Sequence, residues 1–237
     1  MTESYLYKTA IDINDKIHIL IPKVGEIIDK EDEYYGLVSI FTAMPIDFMV
    51  QLDDIGVDFT EINEWDLFMI LFGGLREADV SMILGDLDLS KFRPGINESN
   101  GNTVLIDREK DIVIDRALHG KIADALRKIH HLEKNIRKPA NKEAKEFLLK
   151  RARDKLKRRR RRKEASQLEE LIVAMVNTEQ FKYDFVGTRE LTIYQFNESV
   201  RQVIKKVDYD NRMYGVYTGS INIKDLSQDD LNWLIHK

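Results

Sequence analysis

Residues 103–129, TVLIDREKDIVIDRALHGKIADALRKI, decide the fold class. Thr103–Ile106 and Ile112–Ile114 are apolar, largely β-branched runs around the polar turn Asp107–Lys110, the pattern of an antiparallel hairpin. The period then changes. Asp115 is placed as a helix N-cap, and Leu118, Ile122, Ala125, Leu126 and Ile129 recur at helical spacing. A hairpin that runs straight into an amphipathic helix predicts an α+β chain.

Outward from this stretch, helical signals dominate. Upstream, residues 16–21 (KIHILI) read as a short strand stopped by Pro22, and Val24–Asp29 as a helical turn. Pro45 suits the first turn of a helix over about Ile46–Asp54, with Gly56 ending it in a left-handed conformation. Asn63 is an N-cap for Glu64–Phe72, and Gly73-Gly74 is expected to end that helix. A further helix spans about Glu77–Leu84 and closes at Gly85. The alternation Leu87-Asp88-Leu89-Ser90 reads as a strand, and RPGINESNG (residues 93–101) as turns. Downstream, Pro139 marks a break, and residues 140–178 read as one long helix or two in series. Thr188 or Thr192 caps another helix marked by Leu191, Tyr194, Val200, Val203, Ile204 and Val207. Tyr214–Gly219 reads as a loop or short helical end, and Ser227 as the cap of a last helix over Gln228–Ile235. The expected architecture is α+β and mostly α-helical, with a small β hairpin in the N-terminal half, a long basic helix and a helical C-terminal region. The domains expected are an acidic α+β domain over 1–136, a charged helix or linker over 137–180, and a small helical domain over 181–237.

Charge is strongly segregated. Residues 1–100 hold 20 Asp/Glu and seven Lys/Arg, a local balance of −13, within a chain of net charge −4. From Lys150 to Lys163 there are 11 Lys/Arg against the single acid Asp154. Seven of the bases are consecutive: Lys157, Arg158, Arg159, Arg160, Arg161, Arg162 and Lys163. Such asymmetry bears on partners rather than on fold. A helix charged around its whole circumference meets solvent or an anionic partner. That partner is phosphate backbone, an acidic protein, or the acidic N-terminal third of the same or a neighbouring copy. No aromatic residue suited to base stacking falls within 148–180, which counts against single-strand recognition.

The chain has no cysteine, which excludes disulfides, thiolate metal sites and cysteine nucleophiles. The five histidines (His18, His119, His130, His131 and His236) form no HExxH or HxH pattern. The acids Asp107, Glu109 and Asp111 fall in the predicted hairpin turn, where exposed carboxylates are common. No GxGxxG, GxxxxGK[ST] or GxSxG pattern is present. No catalytic residue, metal or cofactor is therefore expected, and no enzymatic activity. MTESYLYKTA lacks the layout of a signal peptide, and the apolar run Leu67–Leu75 is too short to span a bilayer. The expectation is a soluble intracellular protein.

Phe41, Met44, Phe48, Met49, Trp65, Phe68, Met69 and Phe72 form an aromatic and methionine-rich set at helical spacing. Core packing is the first explanation, and an adaptable binding groove the second. In the second, Phe48, Trp65, Phe68 and Phe72 bind a partner.

The run FTAMPIDFMVQLDDIGVDFTEINEWDLFMILF (Phe41–Phe72) resembles the opening domain of tail-module proteins of long-tailed phages and prophages of Gram-positive bacteria. Leu191–Leu234, with its "Leu-Thr-x-x-Gln-Phe" helix start and Asn-Trp pair, is similar to the end of small helical phage tail proteins. The resemblance implies a tail assembly chaperone-like protein that binds the tape-measure protein in the host cytoplasm; the charge division adds self-association, basic run to acidic N-terminal region, as a further expectation. Two alternatives stand beside it: a phage nucleic-acid-binding or packaging accessory protein using the basic helix, and a structural tail subunit present in the virion.

Overall fold

A computed structural model describes residues 4–159 and 166–234. Its elements run β1 (Ala10–Asn14), β2 (Ile17–Leu20), α1 (Val24–Ile28), α2 (Glu31–Thr42), α3 (Met49–Asp54), α4 (Glu64–Leu75) and α5 (Ser81–Leu84). These are followed by β3 (Arg93–Ile96), β4 (Thr103–Asp107), β5 (Ile112–Ile114), α6 (Arg116–His130), α7 (Lys142–Arg159), α8 (Gln167–Val176), α9 (Phe185–Glu190) and α10 (Ile193–Tyr217). The fold is α+β and mostly helical. It has two small antiparallel sheets, β1-β2 and β3-β4-β5. The chain divides into two compact units. One comprises Met1–Pro22 and Lys30–Ser166, the other Lys23–Asp29 and Gln167–Lys237. The expected charged segment 137–180 thus holds two helices, α7 in the first unit and α8 in the second.

In the first unit α6 is the hub, and α2, α4, β1, β2 and β5 all pack on it. Asp115 caps α6 by accepting from the Leu118 N–H at 2.8 Å, and His131 ends it in the left-handed region at φ 52°. The helix buries Ile122, Ala123, Leu126 and Ile129. The predicted hairpin is present, with Leu105 opposite Ile114 and Asp107 opposite Ile112. Asp107 is buried rather than exposed: its carboxylate closes the turn by accepting from the N–H groups of Glu109 and Lys110.

Several expectations fail for identifiable reasons. α4 is capped by Asn63 as predicted, but it runs through Gly73-Gly74 to Leu75. Both glycines face solvent while Phe72 and Leu75 are buried, so tertiary burial overrides their low helix propensity. The alternating Leu87–Ser90 is no strand. Asp88 accepts from the Ser90 N–H at 2.9 Å and caps a 3₁₀ turn over Leu89–Lys91. The turn-like Arg-Pro-Gly instead opens β3, a sheet-edge strand, where a proline costs no ladder bond.

One buried charge cluster pins α6 to α2 and α4. Arg127, nearly inaccessible, donates to Glu64, to Asp124 Oδ1 at 2.9 Å and to the Thr42 carbonyl at 2.7 Å. Lys134 also donates to Glu64. Removing one member of such a cluster strands the other charge. Arg127→Met is expected to lower stability by about 3 kcal/mol, read as a drop in thermal midpoint. An unchanged midpoint would show that Lys134 alone satisfies Glu64.

The second unit is built differently. Thr192 caps α10 in a reciprocal box with Gln195, and Lys23 pairs with Thr192 as an isolated bridge. The Val24 N–H donates to the Leu191 carbonyl at 2.9 Å, which ties α1 beside α9. Leu168, Ile172, Met175, Phe181, Ile193, Tyr194 and Phe196 fill its core. The helix expected over Gln228–Ile235 is absent from the described residues up to Leu234. Ser227 and Asp230 do make the reciprocal capping bonds, but Lys205 and Arg212 of α10 draw off Asp229 and Asp230.

Candidate anion-binding face

α7 opens at Lys142, past the break around Pro139. Leu148, Leu149, Ala152 and Leu156 form its inner stripe and are half-buried. Leu149 packs on a small core of Ala43, Ile46, Leu52, Phe59 and Leu67. Two basic residues flanking that stripe are used internally. Arg153 bridges Asp53 Oδ2 at 2.7 Å and Asp54 Oδ1 at 2.6 Å, both on α3. Lys145 pairs with Asp58, whose carboxyl is held down to about 2 by that lysine and by hydrogen bonds from Thr60. The acidic N-terminal third therefore meets the basic segment within one chain, but only through these two cations among the described residues of α7.

The outer face is left to solvent. Phe147, Lys150, Arg151, Asp154, Lys155 and Arg158 line one shallow open groove along the helix. Their spacing of three, four, seven, eight and eleven residues puts them on a single stripe about 16 Å long. Lys157 lies on its edge. Phe147 is 64% exposed at the N-terminal end. Among the described residues no acid pairs with Lys150, Arg151, Lys155, Lys157 or Arg158. The expected basic site continues through Arg159, for which only the helical backbone is described, while Arg160, Arg161, Arg162 and Lys163 lie outside the described residues.

The four rings expected to bind a partner are placed elsewhere. Trp65, Phe68 and Phe72 are buried on α4. Trp65 stacks on Phe68 at 5.7 Å, and its indole N–H donates to Thr103 Oγ1 at 3.0 Å. Phe48 is half-buried against the small core that receives Leu149. Three of the four rings thus offer no accessible face, and partner binding through them would require the unit to open. Periodicity alone cannot separate a buried ring from an exposed one, because both obey the same 3.6-residue repeat.

His119 lies in this core, not near α7. Its ring is 4.2 Å from Phe68, and burial lowers its pKa to about 4. His130 is likewise lowered to about 4 by burial, with Tyr34 Oη 2.9 Å from its Nε2. Among the described residues no group of three or more His, Asp or Glu side chains could hold a metal ion, and no helix is long and apolar enough to cross a membrane.

Residues 160–236 match the family model of the YomV second domain, a phage-derived family of Bacillus phages and prophages. That stretch takes in α8 to α10, most of the second unit. A phage-associated domain is therefore present in this part of the chain. No curated protein and no solved structure matches the sequence.

Proposed function

We propose that this is a non-enzymatic phage protein that acts in tail assembly by binding an acidic protein client, the tape-measure protein being the first candidate. The observation that carries this reading is the charge division on α7. Two of its cations are spent internally, Arg153 on Asp53 and Asp54 of α3 and Lys145 on Asp58, while Lys150, Arg151, Lys155, Lys157 and Arg158 stand along an exposed face. A stripe of five cations around the single acid Asp154 is strongly net positive, and such a stripe speeds encounter with an anionic surface and sets its orientation. The phage-derived match at 160–236 supports the setting, and the resemblances at Phe41–Phe72 and Leu191–Leu234 support a tail module. The buried positions of Trp65, Phe68 and Phe72 move the proposed contact away from apolar shielding and onto electrostatics.

The same stripe supports a second reading, nucleic-acid binding. Five phosphate contacts would give a duplex affinity falling with salt at a log–log slope of about −4.5. Which ligand the unaltered chain binds separates these readings, and a variant with all five residues changed to Gln tests the stripe itself, because the positions are exposed and the fold should persist by circular dichroism. It is expected to lose copurification with tape-measure protein, with a fall in affinity of about tenfold or more. Binding of the unaltered chain to duplex DNA with the steep slope, and none to tape-measure protein, would transfer the function to nucleic acid. An unchanged tape-measure affinity in the variant would overturn the role of α7.

A further inference from the structure

We infer that α10 is a self-association helix, and that its partner is α10 of a second copy of this chain lying antiparallel to it. The helix is 25 residues long and begins with its apolar face in the core, where Ile193 and Phe196 are fully buried. At 100° per residue the same stripe continues through Val200, Ile204, Val207, Asn211 and Tyr214, in alternating steps of four and three. That is the spacing of a two-helix seam rather than of a surface face. Yet Ile204 is 63% exposed and Tyr214 71%, and Val207 also faces solvent. Apolar side chains concentrated on an exposed helix stripe mark an interaction surface.

Among the described residues the C-terminal segment leaves Ile204, Val207 and Tyr214 of this stripe uncovered. Its side-chain bonds to α10 run from Gln202 to the Trp233 carbonyl, from Lys205 to Asp229 and from Arg212 to Asp230, and Ile221 packs beside Gly215, its N–H donating to the Gly215 carbonyl at 3.0 Å. Gln202, Lys205 and Arg212 lie some 120–160° around the helix from the seam at the same angular step, and Gly215 borders its C-terminal end. The described part of the tail buttresses the back of α10 and leaves Ile204, Val207 and Tyr214 exposed.

Charge complementarity selects the occupant. Arg201 and Asp208 lie on the same flank of the seam, one step from Val200 and Val207. When two copies run antiparallel with Ile204 set against Val207 of the other, Arg201 of each approaches Asp208 of the other. The two-fold symmetry makes this pair twice. Each residue already has a partner on its own helix, Glu198 and Arg212, so the intermolecular bond would extend a network rather than rescue a lone charge. A parallel pairing would set Arg201 against Phe196 and Asp208 against Val203, with no ion pair on either flank. Asn211 on the seam weakens packing but restricts register, as a polar residue at such a position does.

Sedimentation velocity on the full chain tests this. The unaltered protein is expected to form dimers at concentrations up to about 100 µM. Arg201→Asp and Asp208→Arg should each weaken the dimer by about tenfold, and the two together should restore it, since the pair is only inverted. Ile204→Asp should abolish it, and circular dichroism should show the helix retained because the position is exposed. A monomer throughout that range would overturn the inference. So would a dimer indifferent to Ile204→Asp, or single reversals that the double reversal fails to repair.

Discussion

Phe68→Ala is expected to lower the stability of the first unit by about 3–5 kcal/mol, the usual cost of emptying a large aromatic site. Phe68 is 3% exposed and touches four rings: Phe41 at 5.5 Å, Trp65 at 5.7 Å, Phe72 at 6.1 Å and His119 at 4.2 Å. These neighbours sit on α2, α4 and α6, so little can collapse into the void without moving a helix. Urea unfolding followed by fluorescence would read the effect, since the chain has two tryptophans, one in each unit. Trp65 reports on the first unit and Trp233 on the second. The Trp65 transition should move to lower urea while that of Trp233 stays. A variant of unchanged stability that lost affinity for a partner would instead return Phe68 to the surface role that its spacing also allowed.

That ambiguity shows what kind of information was legible in the chain. Short-range chemistry read well. Asn63, Asp115 and Thr192 each accept a hydrogen bond from an N–H two or three residues on, and the residues that make the cap are adjacent in sequence. The β4-β5 hairpin is equally local, as are the left-handed Gly56 and Gly85. Decisions made by distant parts of the chain did not read. Whether α4 ends at Gly73 depends on what buries Leu75. Whether Asp229 and Asp230 start a helix depends on Lys205 and Arg212, 24 and 18 residues away. β1 went unread because Ile11 and Ile13 offer too short an alternation, and β3 because Arg-Pro-Gly is also turn chemistry. The candidate site divides the same way. Composition reveals the bases of 150–163, but only the packing of α7 on α3 shows that Arg153 is already spent and Lys155 is not.

Acid should begin to destabilise the first unit below pH 6.5 through two buried histidines. His119 and His130 are both lowered to about 4 by burial, from an ordinary value of 6.5. For His119, Glu64 pushes the other way but does not outweigh burial; for His130, neighbouring His131 adds to the lowering. Above pH 6.5 neither the folded nor the unfolded state holds the proton, and stability is full. Between 6.5 and 4 the unfolded chain takes up both protons while the folded chain refuses them. Stability therefore falls as the pH falls, at up to about 1.4 kcal/mol per pH unit for each histidine, or roughly 3 kcal/mol each by pH 4. Set against a total of about 5–15 kcal/mol, a combined loss of about 6 kcal/mol is a large share of the unit's stability and unfolds it where that total is near the lower bound. Two physical details support the sign. His119 Nε2 is buried with no hydrogen-bond partner, so a proton there would be an unpaired buried charge. His130 Nε2 lies 2.9 Å from the Tyr34 hydroxyl, and burial leaves the imidazolium there without the water that would solvate its charge. Glu64 does not add to this fall. Burial alone would raise the Glu64 pKa, but Lys134 and Arg127 hold it below its ordinary value, so its contribution persists through this window and is lost only under stronger acid. Urea unfolding at a series of pH values between 7 and 4 would show the fall. In His119→Phe, which keeps a ring against Phe68, its slope should be about half. A wild-type stability flat across that interval, or a slope unchanged in His119→Phe, would mean that the buried imidazole finds a proton partner in the folded chain.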